Sequence, residues 1–300
     1  MSHKKKVVLI LGGAGFDIRK AQSLANQKGL DLQHANIQRL RHVIRDGEEV
    51  WKIARINLAD VNAIWVRGLF TSNTQRNDAR QVELIHQFFI YIQSHYPRIK
   101  VFDRRAFYRG ALDKHEQIRM LTDRRILVPE THIALTVNQG KYLPLPGVVK
   151  PFFSCDGRGI ELLQNRDTYR EWSKSTRAYF PALIQKWIPN DGDVRILIIG
   201  GRVLACVKRV RQDGFLNNPT RNVVQEHIDL PSRVVKMACR AVKVVGLDIA
   251  GVDLIQDQDT QRWHILEVNQ SPDLQRIALA GISDPIESVI TFIAKTIGSR

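Results

Sequence analysis

Two short apolar runs near the C-terminus constrain this chain most: residues 250–255 (AGVDLI) and 264–272 (HILEVNQSP), each broken by acidic or amide side chains at set positions. The polar hexapeptide between them, 256–261 (QDQDTQ), is turn-like, so the pair predicts an antiparallel hairpin. Residues i and i+2 of a strand share a face, so Glu267 and Asn269 point one way and Val268 the other. Asp253 on the partner strand falls beside them. Two carboxylates and an amide oxygen on one patch are repulsive unless a hard cation is present, and oxygen-only ligation is what Mg²⁺ prefers. A solvent-facing polar strand edge is the alternative.

With 300 residues and 44% apolar content, the chain can build two or three lobes with real cores. Cys155, Cys206 and Cys239 are scattered, without CxxC or Cys/His spacing, which argues against a disulfide framework or zinc site and fits a reducing cytoplasm. Three lysines followed by residues 7–11 imitate the start of a signal peptide. That apolar run stops at Gly12-Gly13, so a first β-strand is expected instead, and no run reaches membrane-span length. The net charge of +15 is uneven: residues 1–114 hold 20 Lys/Arg against 10 Asp/Glu. A basic N-terminal third suits an anionic partner such as nucleic acid, an acidic peptide or a phosphorylated small molecule. A surface that serves only solubility is the alternative.

Strand and helix signals alternate over residues 1–100, predicting an open α/β domain: strands at 7–11 and 63–66, helices at 18–28 and 79–94, and a short strand from Val101. The second helix presents Val82, Ile85, Phe89 and Ile92. A helix over 113–124 follows, with Ile118, Leu121 and His115 as its candidate buried face. Extended segments are expected at 126–129 and 131–135, a loop at 138–147, and strands at 148–150 and 183–187. Segments 194–199 and 203–207 read as a hairpin turning at Gly200-Gly201, followed by a basic run, Lys208 to Arg211. Helices at 231–245 and 285–297 flank the acidic hairpin. Trp172, Trp187 and Trp263 read as core or lobe-interface residues rather than base-stacking platforms.

Residues 148–160 (VVKPFFSCDGRGI) join a strand to a small polar loop. Gly157 and Gly159 let backbone N–H groups approach phosphate oxygens, and Lys150 stands at the strand end as a point charge. No GK[ST] follows, so this is not a Walker A loop, and Ile18 stands where a GxGxxG motif needs its last glycine. An ordinary tight turn is the alternative.

Taken in order, Asp113-Lys114, VVK with its glycine loop, residues 183–188, DVR at 193–195, GVD at 251–253 and LEVN–SP at 266–272 resemble the ATP-grasp superfamily. Within it the chain is similar to the ribosomal-protein glutamate ligase (RimK-type) group of carboxylate–amine ligases. The resemblance implies a mixed α/β and α+β ATP-grasp fold: an N-terminal α/β domain (1–112), a small lobe with the glycine loop (113–190), and a C-terminal lobe with the acidic hairpin (191–300). It further implies ATP and two Mg²⁺ ions, with Mn²⁺ as a substitute, held by Asp253, Glu267 and Asn269. Lys114 and Lys150 would hold the phosphates, under a loop of Ser154, Asp156, Gly157, Arg158 and Gly159. Gln185, Lys186, Trp187 and Ile188 would line the adenine slot. Arg195, Lys208, Arg209, Asn218 and Arg221 would face the acceptor carboxylate and the moving phosphoryl group, with Arg209 as the bidentate carboxylate reader.

Activity, by the same resemblance, is ATP-dependent amide formation through an acyl phosphate. The amine donor would be glutamate-like, and the acceptor a peptide, protein or small acid. A cytoplasmic homo-oligomer acting on neither membrane nor nucleic acid is the expectation that goes with it. Several positions depart from the group. Lys186 stands where Glu is usual, Asp191 is the nearest carboxylate to the ribose position, and Asp273 follows the SP pair in place of glycine. Two rivals therefore stand beside the main reading: a ligase with a non-glutamate donor, and a degenerate ATP-grasp protein that binds nucleotide without turnover, its basic face on RNA or the ribosome.

Overall fold

In the computed structural model the described residues are 5–13, 16–68, 78–104, 113–152, 157, 159–175, 178–211, 223–279 and 284–298. The first strand, β1 (Lys6–Gly12), is apolar and buried from Val7 to Leu11 because both its faces are covered. Asp17 then caps α1 (Ile18–Gln27), its carboxylate accepting the Arg19 and Lys20 N–H groups. The chain continues through β2 (Leu30–Ala35), the hairpin of β3 (Leu40–Arg45) and β4 (Glu48–Ile53), β5 (Val61–Arg67), α2 (Asp78–His95) and β6 (Lys100–Val101). A parallel sheet in the order β2-β1-β5-β6 results, as the alternating pattern predicts. Ile85, Phe89 and Ile92 are buried against it, while the Val82 side chain lies outside the described set.

The second sheet is antiparallel, in the order β7-β10-β8-β9, and is preceded by helix α3 (Lys114–Asp123). Its strands are β7 (Thr131–Ala134), β8 (Gly147–Lys150), β9 (Glu161–Leu163) and, after helix α4 (Arg166–Lys174), β10 (Ala182–Lys186). Tyr169 and Trp172 of α4 fill its core. The loop expected at 138–147 is in part a 3₁₀ turn, Val137–Tyr142. On α3 the pattern departs from expectation: His115 is exposed, and Lys114 and Gln117 are buried beside Met120 and Leu121.

The third sheet runs β13-β12-β11-β14-β15. It comprises β11 (Asp193–Ile199), β12 (Arg202–Arg211), β13 (Val223–His227), then, beyond helix α5 (Ser232–Val245), β14 (Ile249–Gln256) and β15 (Trp263–Asn269). The chain closes with α6 (Leu274–Leu279) and α7 (Pro285–Gly298). Lys208 and Arg209 lie inside β12, not beyond its end, because β13 extends the pairing past the expected hairpin.

Period-two alternation sorts this sheet. Val194, Ile196, Ile198, Ala250, Val252 and Val268 face α5 and pack on Val234, Ala238, Ala241 and Val242. On the opposite face Leu197, Ile199, Ala205 and Val207 meet α7, which also packs against α1, so this core continues into Val8, Ile10 and Trp65 of the first sheet. That second face is apolar at one end and charged at the other. The charged end is the candidate site. No described helix is long and apolar enough to cross a membrane.

Candidate active site

Cross-strand register builds the charged end row by row. Val207, Arg195, Asp253 and Glu267 lie opposite one another across β12, β11, β14 and β15. The neighbouring row on one side is Gln225, Arg209 and Asp193, and on the other Ala205, Leu197, Gly251 and Asn269. The hairpin therefore has the expected pairing, with Val268 fully buried and Glu267 and Asn269 half-buried on the outer face.

Arg195 holds Asp253 with both arms, Nε to Oδ1 at 2.7 Å and Nη2 to Oδ2 at 2.6 Å. Arg209 holds Asp193 in the same way at 2.6 and 2.5 Å, and its Nη2 also lies 3.2 Å from Asp253 Oδ1. Burial alone would raise the Asp253 carboxyl, but the two guanidinium groups outweigh it and hold it at about 2. For Arg209, burial is likewise outweighed by Asp253 and Asp193, which keep it firmly charged. Arg209 is 5% exposed, and its fork is spent on Asp193. As placed, it does not present the open carboxylate-binding edge expected from the sequence.

Helix α3 is tied to β15 by a reciprocal amide contact. Gln117 Nε2 donates to the Val268 carbonyl at 3.0 Å, and the Val268 N–H donates to Gln117 Oε1 at 3.1 Å. Lys114, one turn earlier on the same face, thereby reaches Glu267, with Nζ 3.4 Å from Oε1. From the second sheet, Lys150 donates to Gln185 Oε1 at 2.5 Å, while Gln185 Nε2 donates to Thr131 Oγ1. Burial pushes the Lys150 ammonium down to about 8; Glu267 opposes this and Lys114 adds to it. Both lysines thus converge on the acidic face.

The turn after β15 docks on the end of β5. Gln270 Nε2 donates to the Val66 carbonyl, the Gly68 N–H to Ser271 Oγ, and Arg67 Nη2 to the Pro272 carbonyl, at 2.7, 2.8 and 2.8 Å. Gly251 makes room for this turn, since a Cβ there would come within 3.0 Å of Pro272. Arg67 is buried with its guanidinium 5.0 and 5.2 Å from the centroids of the Phe16 and Trp65 rings, which stack on each other, and burial lowers it to about 10. Of these docking residues the sequence marks only the SP pair, Ser271-Pro272, and that as part of the motif order rather than for docking; Arg67, Gly68 and Gln270 carry no such signal.

Asp253, Glu267 and Asn269 offer oxygen donors only. Carboxylate oxygens keep lone pairs beyond their present bonds, so this set suits a hard divalent cation. Asn269 Oδ1 accepts the Ser271 N–H at 2.8 Å, which fixes its orientation. Among the described residues no cluster of three or more His, Cys, Asp or Glu provides another metal centre.

At the expected adenine strand, Gln185 and Ile188 are buried, Trp187 is half-buried and Lys186 is exposed. The N–H groups of Lys186 and Trp187 are already bonded to the Glu130 and Pro146 carbonyls. Lys208 donates to Asp191 at 2.8 Å, and that hydrogen bond lowers the Asp191 carboxyl. Gly157 and Gly159 both have positive φ. Ser154, Asp156, Arg158, Asn218 and Arg221 lie outside the described residues. A small open recess beside the charged rows is lined by Arg195, Arg209, Gln225, Asp273 and Arg276.

Residues 111–291 match the RimK-like ATP-grasp domain. The chain is 31% identical over 189 residues to a probable alpha-L-glutamate ligase of Pasteurella multocida (strain Pm70), covering 60% of each chain. It is 32% identical over 189 residues to another of that description from Histophilus somni (strain 2336), covering 60% of this chain and 62% of that protein. The match thus spans about 60% of the length of these relatives. Among solved structures, the ATP-grasp ligase PsnB complexed with precursor peptide PsnA2 and AMPPNP superposes with a TM-score of 0.69 at 17% identity, over 99% of both chains. A RimK domain ATP-grasp protein from Sphaerobacter thermophilus DSM 20745 gives 0.69 at 15% identity, over 96% of this chain and 98% of that one. The fold is ATP-grasp along nearly the whole length, and the chain belongs to the RimK-like ATP-grasp family.

Proposed function

We propose that this protein is an ATP-dependent carboxylate–amine ligase that adds an amino acid to a peptide, protein or small-molecule acid. The observation that carries the reading is the convergence of Lys114 and Lys150 on the Asp253–Glu267–Asn269 face, with Arg195 in the same row. The acceptor carboxylate oxygen attacks the γ-phosphorus of ATP, the bond to the β-phosphate oxygen breaks, and ADP leaves. The amine nitrogen then attacks the acyl carbon. The carbon–oxygen bond to phosphate breaks, inorganic phosphate departs and the nitrogen loses its proton. Lys114 and Lys150 neutralise phosphate charge, and Arg195 stabilises the moving group. Divalent ions, two in the fullest form of this reading, would add charge neutralisation at Asp253, Glu267 and Asn269.

The relatives support a glutamate-like donor by description, and the PsnB complex, with its precursor peptide and AMPPNP, supports a peptide acceptor and a nucleotide. With ATP, Mg²⁺ and a panel of amino acids and acidic peptides, hydroxylamine should trap the acyl phosphate as a hydroxamate, with ADP released alongside. Nucleotide binding without hydroxamate or ADP across the panel would favour the non-turnover rival. That rival draws on the occupied N–H groups of Lys186 and Trp187 and on the Asp191–Lys208 pair.

A further inference from the structure

Three arginines line the recess, and two of them are committed. Arg195 spends its fork on Asp253 and Arg209 on Asp193. Arg276, on α6, differs. Its Nε stands 3.0 Å from Asp273 Oδ2, and among the described residues its Nη1 and Nη2 have no hydrogen-bond partner. Asp273 is itself anchored, because its Oδ1 accepts the Arg276 backbone N–H at 3.1 Å. Leu274 and Ile277 bury the other side of this short helix, and Arg276, held at Nε by Asp273, is among the residues that line the recess. Two parallel N–H groups on a fixed plane match a carboxylate.

We propose that Arg276 reads a substrate carboxylate that is not the one being activated. This rests on the ligase reading above and deepens it. The recess lies over β11, β12 and β13, whereas Lys114 meets Glu267 over β15 at the opposite edge of the sheet. At about 4.8 Å per strand, two to four strand spacings separate the two places, roughly 10–20 Å. A molecule engaging both has a reacting end and a second, free carboxylate. An amino-acid donor with its α-carboxylate fits, as does an acceptor with an acidic residue beside the reacting acid. Asp273 acts as a positioning residue that keeps the Arg276 plane turned to the recess. Asp273 stands where this chain departs from the usual SP-Gly sequence, and Arg276 lies three residues on.

The test is calorimetric titration of L-glutamate, its α-carboxamide and N-acetyl-L-glutamate into the full chain and into Arg276→Gln and Arg276→Lys. Removing a charge-assisted contact should weaken the carboxylate probe on the order of 10–100-fold in Arg276→Gln. The carboxamide should be unaffected, and so should ATP affinity and melting temperature, because the Asp273 cap to backbone survives. Arg276→Lys should recover only part of the loss. Weakening confined to L-glutamate places the carboxylate on the donor; weakening confined to N-acetyl-L-glutamate places it on the acceptor. Equal weakening of carboxylate and carboxamide, no weakening, or no binding of any probe to the parent chain overturns the proposal. Carboxylate-selective binding without hydroxamate formation would sink the ligase reading and leave this site standing.

Discussion

Arg195 clasps Asp253 through two hydrogen bonds of 2.7 and 2.6 Å, so a carboxylate suited to a cation is neutralised by protein. A cation arriving at Asp253 competes with that guanidinium, and whatever it displaces is freed beside the place proposed for the transferring phosphoryl group. Charge repulsion between Asp253 and Glu267, opposite each other on β14 and β15, is what the arginine relieves.

Replacing Arg195 with Met should therefore separate two quantities. Without nucleotide, Mn²⁺ should raise the melting temperature of Arg195→Met more than that of the parent, because Asp253 loses its two-armed partner and keeps only the single Arg209 contact. ATP turnover should fall by about 10²–10³-fold, the usual loss for one charge-stabilising group. An unchanged response to Mn²⁺ would show that Asp253 does not receive the ion.

Arg209 makes the opposite case. Arg209→Ala leaves Asp193 buried without its partner, which should cost about 3–5 kcal/mol in urea unfolding. Arg209→Lys should restore less than half, since an ammonium cannot bridge both oxygens. A variant as stable as the parent would return Arg209 to the list of substrate readers.

Gly159 has φ +69°, and a Cβ there would meet Pro151 Cγ at 2.9 Å. Gly159→Ala should weaken ATP binding at least tenfold in an equilibrium titration. The cost to the nucleotide-free fold should stay near the 1–2 kcal/mol of a left-handed non-glycine residue. Equal affinity in variant and parent would remove the phosphate-cradling role.

Asp103 sets a pH dependence. Its Oδ1 accepts the Asp248 and Ile249 N–H groups, and its own N–H donates to Asp248 Oδ2. Burial, with Asp248 adding and Arg67 opposing, raises its carboxyl to about 8 from an ordinary 3.8. Between those values the folded chain keeps a proton that the unfolded chain releases. Stability from this group is therefore greatest below about pH 4, falls as pH rises, and levels off above 8. Asp103→Asn should flatten the decline in urea midpoint between pH 5 and 8; an unaltered slope would assign it elsewhere.

Local signals carried far in the hairpin. Alternation alone placed Val268 inward and Glu267 and Asn269 outward, since a strand's period of two is a property of the backbone. The Asp46-Gly47 turn of β3–β4, with φ of 53° and 80°, is equally legible as a two-residue hairpin signature. On α3 the pattern misled. His115 is exposed and Gln117 buried, because a polar side chain that finds two backbone partners in β15 is worth enclosing.

By itself the sequence determined the elements, the parallel N-terminal sheet, the acidic hairpin and the order of motifs that marks the family. All of these depend on neighbours within a few residues or on a fixed succession along the chain. Which arginine is spoken for and which is open was decided only by the tertiary structure. Arg195 and Arg209 find Asp253 and Asp193 across strands 58 and 16 residues distant, whereas Arg276 pairs only through Nε with Asp273, three residues away, and lines the recess. A guanidinium looks the same in any sequence; its availability depends on the carboxylates that folding brings within about 3 Å of it.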